Sequence, residues 1–259
     1  MASALDGRLF NIQFDPKPRL LYDGGKRKLP ALDGVISMCG RFSLAVDFTT
    51  LQDQFQFTFP DNWNPRYNIA PSQSILTVIQ KENRRVGQPM RWGLVPFWAE
   101  DMKIGYKMIN ARAETLAEKP AYKHPFRKQR CLIPADGFYE WKKTGQTQQP
   151  YRFQLKRGEP FAFAGLWDQW KQGNDILYSC TIITTKPNSL VGEVHNRMPV
   201  ILREDDYETW MDPEMTDLYS LQSLLAPYPE EKMEAYPVSQ LVNSPKNDDP
   251  SLIEPVDLG

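Results

Sequence analysis

Three cysteines differ in the chemistry that their neighbours allow. Cys39 is followed by Gly40 and Arg41 in the sequence MCGRF. A glycine lets another group approach closely, and an arginine favours the thiolate form of a nearby cysteine. Cys131 and Cys180 lie in the apolar runs CLI and CTII, which are typical of inert cysteines in a core. The sequence therefore indicates Cys39 as the candidate nucleophile.

Candidate proton-transfer groups occur in other short motifs. The chain has two histidines, and we favour His195, in the turn-like sequence VHNRMP, over His124, in KHPF at a predicted helix end. Glu140 lies between aromatic residues in GFYEW. If its strand buries it, its pKa rises and it suits proton transfer near neutral pH; the alternative is a glutamate that faces water. Asn110, in MINARAET, could cap a following helix. A cysteine, a histidine and an amide or carboxylate also permit a cysteine peptidase.

A β-rich fold is predicted to position these residues. Alternating or continuous apolar runs predict strands at 35–44, 75–80, 90–94, 131–134, 138–142, 151–155, 161–167 and 177–184. Helices are predicted at 47–55, with Asp47 as the cap, and at 113–119, 204–211 and 217–225. Three prolines predict a loop over 60–71, and a hairpin turn is predicted at Lys143–Gly145. We expect a single α+β domain with a curved, largely antiparallel, barrel-like sheet flanked by helices.

Composition excludes several functional classes. The 259 residues contain three cysteines and no Cys-x-x-Cys pair, so we expect a reduced, cytoplasmic protein rather than a disulfide scaffold. The chain lacks a long apolar run, and we predict no membrane association. Two histidines are too few for a His-rich metal site, and we predict neither a metal nor a cofactor.

The charge is unevenly distributed along the chain. The total is −1, but residues 101–130 carry eight basic and three acidic residues, a net of +5. Residues 204–259 contain fourteen acidic and two basic residues, a net charge of −12. A basic stretch is usually a solvated surface, but it can also bind nucleic acid.

Seven motifs occur in order and carry a family resemblance. They are MCGRF at 38–42, RYNIAP at 66–71, RWGLVP at 91–96, INARAET at 109–115, PADGFYEW at 134–141, FAGLW at 163–167 and HNRMP at 195–199. Together they resemble the SOS response-associated peptidase family, whose members are described as abasic site processing proteins. VS at 238–239 and VNSPKN at 242–247 extend the similarity. The resemblance implies a DNA-repair protein that captures abasic sites in single-stranded DNA through a covalent crosslink.

The chemistry of an N-terminal cysteine accounts for such a crosslink. A ring-opened abasic site carries an aldehyde. An α-amine titrates near 7.7–8.0, so roughly a tenth of it is nucleophilic at pH 7 and can form a Schiff base. The thiol of the same residue then closes a five-membered thiazolidine ring. Carried over by motif, Cys39 would be this double nucleophile.

The resemblance also assigns roles to the other residues. Glu140 would move protons, His195 would assist, and Asn110 would hold the sugar or the Cys39 amine. The implied DNA-binding residues are Arg41, Arg112 and Arg197, which would pair with phosphates, together with Trp141, which would stack on a base or form a wall of the pocket, and Trp92. The basic stretch would then form part of the DNA path.

Residues 1–37 depart from the family pattern. They hold six basic and four acidic residues and have neither a helical stripe nor the features of a secretory signal. The family begins Met-Cys, whereas the nitrogen of Cys39 is acylated in the chain as written. We therefore predict a flexible or removed leader over 1–37 and a functional domain over 38–259 that includes the acidic C-terminal tail. Either Met38 is the true start, or the leader is cleaved after Met38, by the domain's own autopeptidase activity or otherwise.

Two other functions remain open at this point. One is a thiol peptidase that acts in trans with Cys39 and His195. The other is a non-catalytic protein that binds single-stranded DNA reversibly. We expect a monomer that lies in the cytoplasm and joins the nucleoid on damaged DNA.

Overall fold

A computed structural model describes residues 40–59 and 63–259. The predicted leader over 1–37, Cys39 and the first part of the predicted strand at 35–44 lie outside these residues. The described strands are β1 (Phe42–Leu44), β2 (Arg66–Ile69), β3 (Ser74–Lys81), β4 (Arg84–Trp92), β5 (Asn110–Arg112), β6 (Arg130–Ala135), β7 (Gly137–Thr144), β8 (Thr147–Leu155), β9 (Phe161–Gln172), β10 (Asp175–Thr185), β11 (Met198–Pro199), β12 (Ile201–Leu202) and β13 (Met233–Pro237). The described α-helices are α1 (Phe48–Phe55), α2 (Pro120–Lys128), α3 (Ser189–Gly192), α4 (Tyr207–Met211) and α5 (Leu218–Ser223).

Five strands close into a barrel. Around the ring the order is β3, β4, β10, β9 and β6, and β6 pairs again with β3 through Val78 and Leu132. Closure leaves the ring without an open edge. Strand β10 pairs in parallel with β4 and β5, and the other ladders of the described strands are antiparallel. The predicted α+β class and the curved, largely antiparallel, barrel-like sheet are confirmed.

A second sheet packs against the barrel. Its strand order is β13, β8, β7, β1 and β2. The rings of Phe138 and Phe153 stack across β7 and β8 with centroids 5.0 Å apart. Phe42 of β1 meets Phe163 of the barrel strand β9 edge to face at 5.7 Å. Both sheets thus contribute to one apolar core, because aromatic pairs join their facing sides.

Local sequence signals predicted several elements correctly. Asp47 caps α1, and its carboxylate accepts a hydrogen bond of 3.0 Å from the backbone N–H of Thr50. Strands β7 and β8 form the predicted hairpin. Its loop places Gly145 at φ +62°, a left-handed conformation that glycine adopts without a steric penalty.

Two local predictions were wrong. The stretch 60–71 contains the strand β2, which pairs with β1 despite its proline-rich surroundings. The predicted helix at 113–119 is only a short 3-10 turn at Ala113–Thr115, and the longer helix α2 starts afterwards, with Pro120 in its first turn. Proline suits the first turn of a helix because its missing N–H would have no partner there.

Within the described part of the chain, no helix is long and apolar enough to cross a membrane.

Candidate functional site

Arg41 is the centre of one group of candidate residues. It immediately precedes β1 and is partly buried. Its Nη1 donates to the Asn68 side-chain oxygen at 2.8 Å and to the Val242 carbonyl at 2.5 Å. Its guanidinium carbon lies 5.8 Å from the centroid of the Trp141 ring. Burial lowers the pKa of Arg41, but an arginine keeps its charge at physiological pH, so the site holds an oriented cation beside an aromatic face.

Glu140 and Trp141 lie next to each other on β7. Glu140 is 1% exposed, so the buried alternative for this glutamate is the one observed. Trp141 is half-buried, and its indole N–H donates to the Asn243 side-chain oxygen at 2.7 Å. The backbone N–H of Tyr139 donates to the Arg41 carbonyl at 3.0 Å. The pairing of β1 with β7 therefore brings Arg41 beside the segment that carries Glu140.

A second group is built on the end of β10. Strand β5 runs parallel to β10, with Asn110 opposite Ile182 and Arg112 opposite Thr184. Arg112 is exposed. The Tyr122 hydroxyl donates to the Asn110 carbonyl at 3.3 Å. The interpretation of Asn110 as the cap of the following helix was wrong, because Asn110 belongs to the strand β5.

His195 lies in the turn that follows α3. Its Nδ1 is 3.2 Å from the backbone nitrogen of Arg197 and 3.1 Å from the Arg197 carbonyl oxygen. The Arg197 guanidinium forms two bonds to the Glu114 carboxylate, at 2.7 and 2.9 Å, and also donates to the Thr184 carbonyl at 2.7 Å. Arg197 is thus committed to Glu114 in this structure, and the pair ties the His195 turn to the segment after β5.

Trp92 is a support for the site rather than part of its surface. Its side chain is completely buried, so the prediction that it contacts DNA was wrong. Its indole N–H donates to the Ile109 carbonyl at 2.9 Å, next to Asn110. Its ring also meets Phe42, next to Arg41, at 5.2 Å. One buried side chain therefore links the two groups of candidate residues.

The two described cysteines match the inert role expected of them. Cys131 and Cys180 are fully buried, and burial raises the pKa of both thiols. Cys39, the proposed nucleophile, lies outside the described residues. No group of three or more His, Cys, Asp or Glu side chains able to hold a metal ion occurs among residues 40–59 and 63–259.

Most of the basic stretch faces solvent. Arg130 is the exception, since it is 4% exposed and donates to backbone carbonyls that include Trp210 and Phe126. The other seven cations are exposed: Lys103, Lys107, Arg112, Lys119, Lys123, Arg127 and Lys128. Lys128 forms an ion pair with Glu214 at 3.6 Å, which joins the basic stretch to the acidic C-terminal part.

Several candidate residues were not predicted from the sequence. Asn68 is fully buried, and its amide donates to the carbonyls of Val242, Ser244 and Asn247. It lies in the RYNIAP motif, which was the available signal. Three exposed aromatic side chains were also missed: Phe97, Trp98 and Tyr106 are 61%, 48% and 61% exposed. The guanidinium of Arg91 lies 5.0 Å from the Tyr106 ring.

The described residues form a single α+β domain with a buried carboxyl group on β7, a half-buried tryptophan next to an arginine, and an exposed basic stretch. Residues 38–245 match the SOS response associated peptidase (SRAP) family. The chain belongs to this family.

Three similar proteins are all described as abasic site processing proteins. The chain is 55% identical over 224 residues to the abasic site processing protein YoqW of Bacillus subtilis, covering 84% of this chain and 99% of YoqW. It is 53% identical over 223 residues to YoaM of the same organism, covering 84% of this chain and 98% of YoaM. Identity to the abasic site processing protein HMCES of Gallus gallus is 31% over 267 residues, with 86% of this chain and 79% of HMCES covered.

A solved structure has the same fold. A crystal structure of a protein from Bacteroides thetaiotaomicron superposes with a TM-score of 0.77 at 27% sequence identity. The match covers 84% of this chain and all of that one. On the strength of the family and these relatives, the chain is an abasic site processing protein of the SRAP family.

Proposed function

We propose that this protein captures abasic sites in single-stranded DNA by forming a thiazolidine crosslink through Cys39, once Cys39 is the N-terminal residue. The observation that carries the proposal is the position of Glu140. Glu140 is buried on β7, next in sequence to the base-stacking candidate Trp141, and β7 pairs with β1, the strand that follows Cys39 in the sequence. The buried carboxyl group of Glu140, the cation of Arg41 and the ring of Trp141 are the groups that support the proposal.

The position of Cys39 in the sequence supports its participation. Cys39 precedes Arg41 by two residues. Arg41 is bonded through its carbonyl to Tyr139, the residue before Glu140. Because Cys39 is close in sequence to Arg41, and β1 pairs with β7, Cys39 is the nucleophile that we pair with Glu140 in the proposed reaction.

The proposed reaction balances without an oxidant or a cofactor. The α-amine of Cys39 adds to the aldehyde carbon of the open sugar, and loss of one water gives an imine. The thiol then adds to the imine carbon, its proton passes to the nitrogen, and the five-membered ring closes. Glu140 supplies and removes the protons of the addition and dehydration steps, His195 assists, and Asn110 holds the sugar or the amine.

DNA binding is assigned to exposed cations and to Trp141. Arg112 is exposed on β5 and is free to approach a phosphate, whereas Arg197 can do so only by sharing or leaving Glu114. Arg41 contributes a positive charge next to the ring of Trp141. The exposed rings of Phe97 and Tyr106, together with the basic stretch, extend the surface that suits single-stranded nucleic acid.

The test compares two starts of the same chain. Protein that starts at Met38, with the initiator removed, is mixed with single-stranded DNA that carries one abasic site and is then denatured in SDS. We expect a shifted band with this protein and none with chain that keeps residues 1–37, because an acylated nitrogen cannot form the imine. DNA that carries a tetrahydrofuran analogue, which has no aldehyde, is the matched control.

Variants at Cys39 separate the possible outcomes. Cys39→Ala should abolish the stable band. A band that forms equally well with Cys39→Ser would replace the thiazolidine by a simple imine, and no band with the Met38 start would overturn the proposal. Binding that is reversible, sensitive to salt and indifferent to Cys39 would instead indicate a non-catalytic DNA-binding protein. Mass spectrometry of natively expressed protein shows which start occurs and whether autoproteolysis exposes Cys39.

The pair of Glu114 with Arg197 should influence crosslinking through His195. Replacing Glu114 by Gln removes a bidentate ion pair, so we expect the His195 turn to loosen and the single-turnover rate to fall about tenfold. Replacing Glu118, an exposed residue nearby, by Gln is the control. An unchanged rate for Glu114→Gln would show that His195 does not depend on this pair.

The same pair predicts a pH response. Hydrogen bonds from Arg197 lower the pKa of Glu114 below its ordinary value of 4.5. Because the pKa of Glu114 is lowered in the folded state, the ion pair stabilises the protein fully at a pH above the ordinary pKa of 4.5. This stabilisation is lost as the pH falls through the lowered pKa of the folded state. We therefore expect the Glu114→Gln effect on rate to be constant from about pH 6 to 8. An effect that disappears within this window would contradict the assignment.

A further inference from the structure

A short turn in the C-terminal part of the chain touches two groups that the proposed function places against DNA. The 3-10 turn Gln240–Asn243 follows Ser239, whose side chain caps it. The Val242 carbonyl accepts from Arg41 at 2.5 Å. The next residue, Asn243, accepts the indole N–H of Trp141 at 2.7 Å. Adjacent residues of one turn thus hold the cation and the aromatic ring.

The Asn243 side chain is itself held in place. Its amide donates to the Gln240 side-chain oxygen at 2.7 Å. Gln240 in turn donates to the Gln148 carbonyl at 3.0 Å, on the hairpin strand β8. This chain of bonds fixes which end of the Asn243 amide faces Trp141, because its nitrogen is already used as a donor. The oxygen is left for the indole.

Residues of strand β2 also hold the turn in place. The buried amide of Asn68 donates to the Val242, Ser244 and Asn247 carbonyls at 3.2, 3.0 and 2.8 Å. The Asp248 carboxylate accepts from the backbone of Tyr67 at 2.6 Å and forms an ion pair with Arg66 at 2.5 Å. The polar backbone of the C-terminal segment is thereby bound to the strand β2.

Charge explains how an acidic segment can lie beside a site for a polyanion. From residue 204 to the end the net charge is −12, yet residues 239–247 contain no acidic residue and one lysine. The groups that meet Arg41 and Trp141 are a neutral carbonyl and a neutral amide. The nearby Asp248 is occupied by Arg66 and the backbone of β2.

From these contacts we propose that Asn243 is a positioning residue, which fixes the plane of the Trp141 ring for stacking on a base. The inference rests on the proposed DNA-binding role of Trp141. An indole held by a hydrogen bond loses less conformational freedom when a base stacks on it, so the contact is stronger than with a mobile ring. Asn243 itself need not touch DNA.

Two measurements on the full chain test the proposal. The first is the affinity for single-stranded DNA that carries a tetrahydrofuran site, followed by fluorescence anisotropy, which requires no crosslink. We expect Asn243→Ala to weaken binding about tenfold, the size of losing part of one base-stacking contact. Ser251→Ala is the matched control, since it removes another exposed side-chain hydrogen bond, to Asp249, in the same segment. Thermal melting should be unchanged for both variants.

The second measurement reports on the ring directly. The seven tryptophans give seven indole N–H resonances in ¹⁵N-labelled protein, and Trp141→Phe identifies that of Trp141. Asn243→Ala should shift this resonance and leave the others in place. Asn243→Asp keeps the acceptor oxygen, so the Trp141 resonance in this variant should lie close to its wild-type position. In the Trp141→Phe background, Asn243→Ala should have no further effect on affinity.

The outcomes distinguish this inference from the proposed function. If wild-type protein binds DNA but Asn243→Ala binds equally well, or if its effect persists in Trp141→Phe, the positioning role is overturned. If wild-type protein does not bind DNA while the Trp141 resonance still responds to Asn243→Ala, the indole bond exists and the DNA-binding proposal is the part that fails.

Discussion

Protein with Glu140 replaced by Gln is expected to form the DNA crosslink about 10²- to 10⁴-fold more slowly, the usual contribution of a positioned proton-transfer group. Glutamine has nearly the same shape and can still accept a hydrogen bond, but it cannot give up or take a proton. Because Glu140 is 1% exposed, bulk water and buffer have little access to replace it. The measurement is a single-turnover time course with protein that starts at Met38.

Controls separate chemistry from binding in this experiment. Affinity for DNA with a tetrahydrofuran site should be unchanged in Glu140→Gln, since the reversible contacts are assigned to Arg41, Arg112 and Trp141. Glu234→Gln is the matched control, because Glu234 lies on β13 of the same sheet and accepts a hydrogen bond from Gln154 at 2.7 Å. A wild-type crosslinking rate for Glu140→Gln would remove Glu140 from the mechanism.

Of the substitutions considered, replacing Asp136 by Asn is expected to lower the free energy of unfolding the most. Asp136 and Arg152 form an ion pair of 3.0 Å, and their side chains are 6% and 4% exposed. The carboxylate also accepts from the Ser43 hydroxyl at 2.6 Å and from the backbone of Ala45 and Val46. The change leaves a buried guanidinium without its counter-ion. Breaking such a pair costs about 3–5 kcal/mol, which urea unfolding can measure.

Two further variants make that prediction specific. Glu214→Gln removes the ion pair between Glu214 and Lys128, whose side chains are 84% and 43% exposed respectively. Because both groups are largely solvated, this variant should leave the unfolding free energy almost unchanged. Replacing both Asp136 and Arg152 by apolar residues should recover part of the loss, since no lone charge stays buried. A change below about 1 kcal/mol for Asp136→Asn would show that water or another group compensates Arg152.

The Asp136 pair also connects stability with the site. Asp136 joins the chain after β1 to the hairpin of β7 and β8, the same elements that carry Arg41, Glu140 and Trp141. A Cβ at Gly137 would lie 2.6 Å from the Arg152 guanidinium carbon, so glycine is required where the two strands meet this group. The spacing of the DGFYEW sequence thus reflects packing as well as chemistry.

Local sequence patterns were sufficient for much of the secondary structure. Apolar runs identified the long strands β3, β7, β9 and β10, and a capping aspartate identified the start of α1. These signals are local because they depend on side-chain periodicity and on bonds within a few residues. Strand β2 was missed because its pairing with β1, rather than its own composition, makes it a strand.

The partners of the site residues were much harder to predict. Arg41 bonds to a carbonyl 201 residues away, Arg197 to a carboxylate 83 residues away, and Trp141 to an amide 102 residues away. Nothing in the local pattern of an arginine or a tryptophan specifies such a distant acceptor. Trp92 shows the same limit, since only packing decides whether a tryptophan is a buried support or an exposed ring.

The sequence by itself determined the set of reactive and charged residues, the order of the seven motifs and the uneven charge. It also determined the family, because these motifs depend on residue identity and spacing alone. Only the tertiary structure decided which of these residues are accessible and which hold one another in place. Barrel closure and strand register bring distant segments together, and the burial and hydrogen bonds that result depend on those long-range contacts.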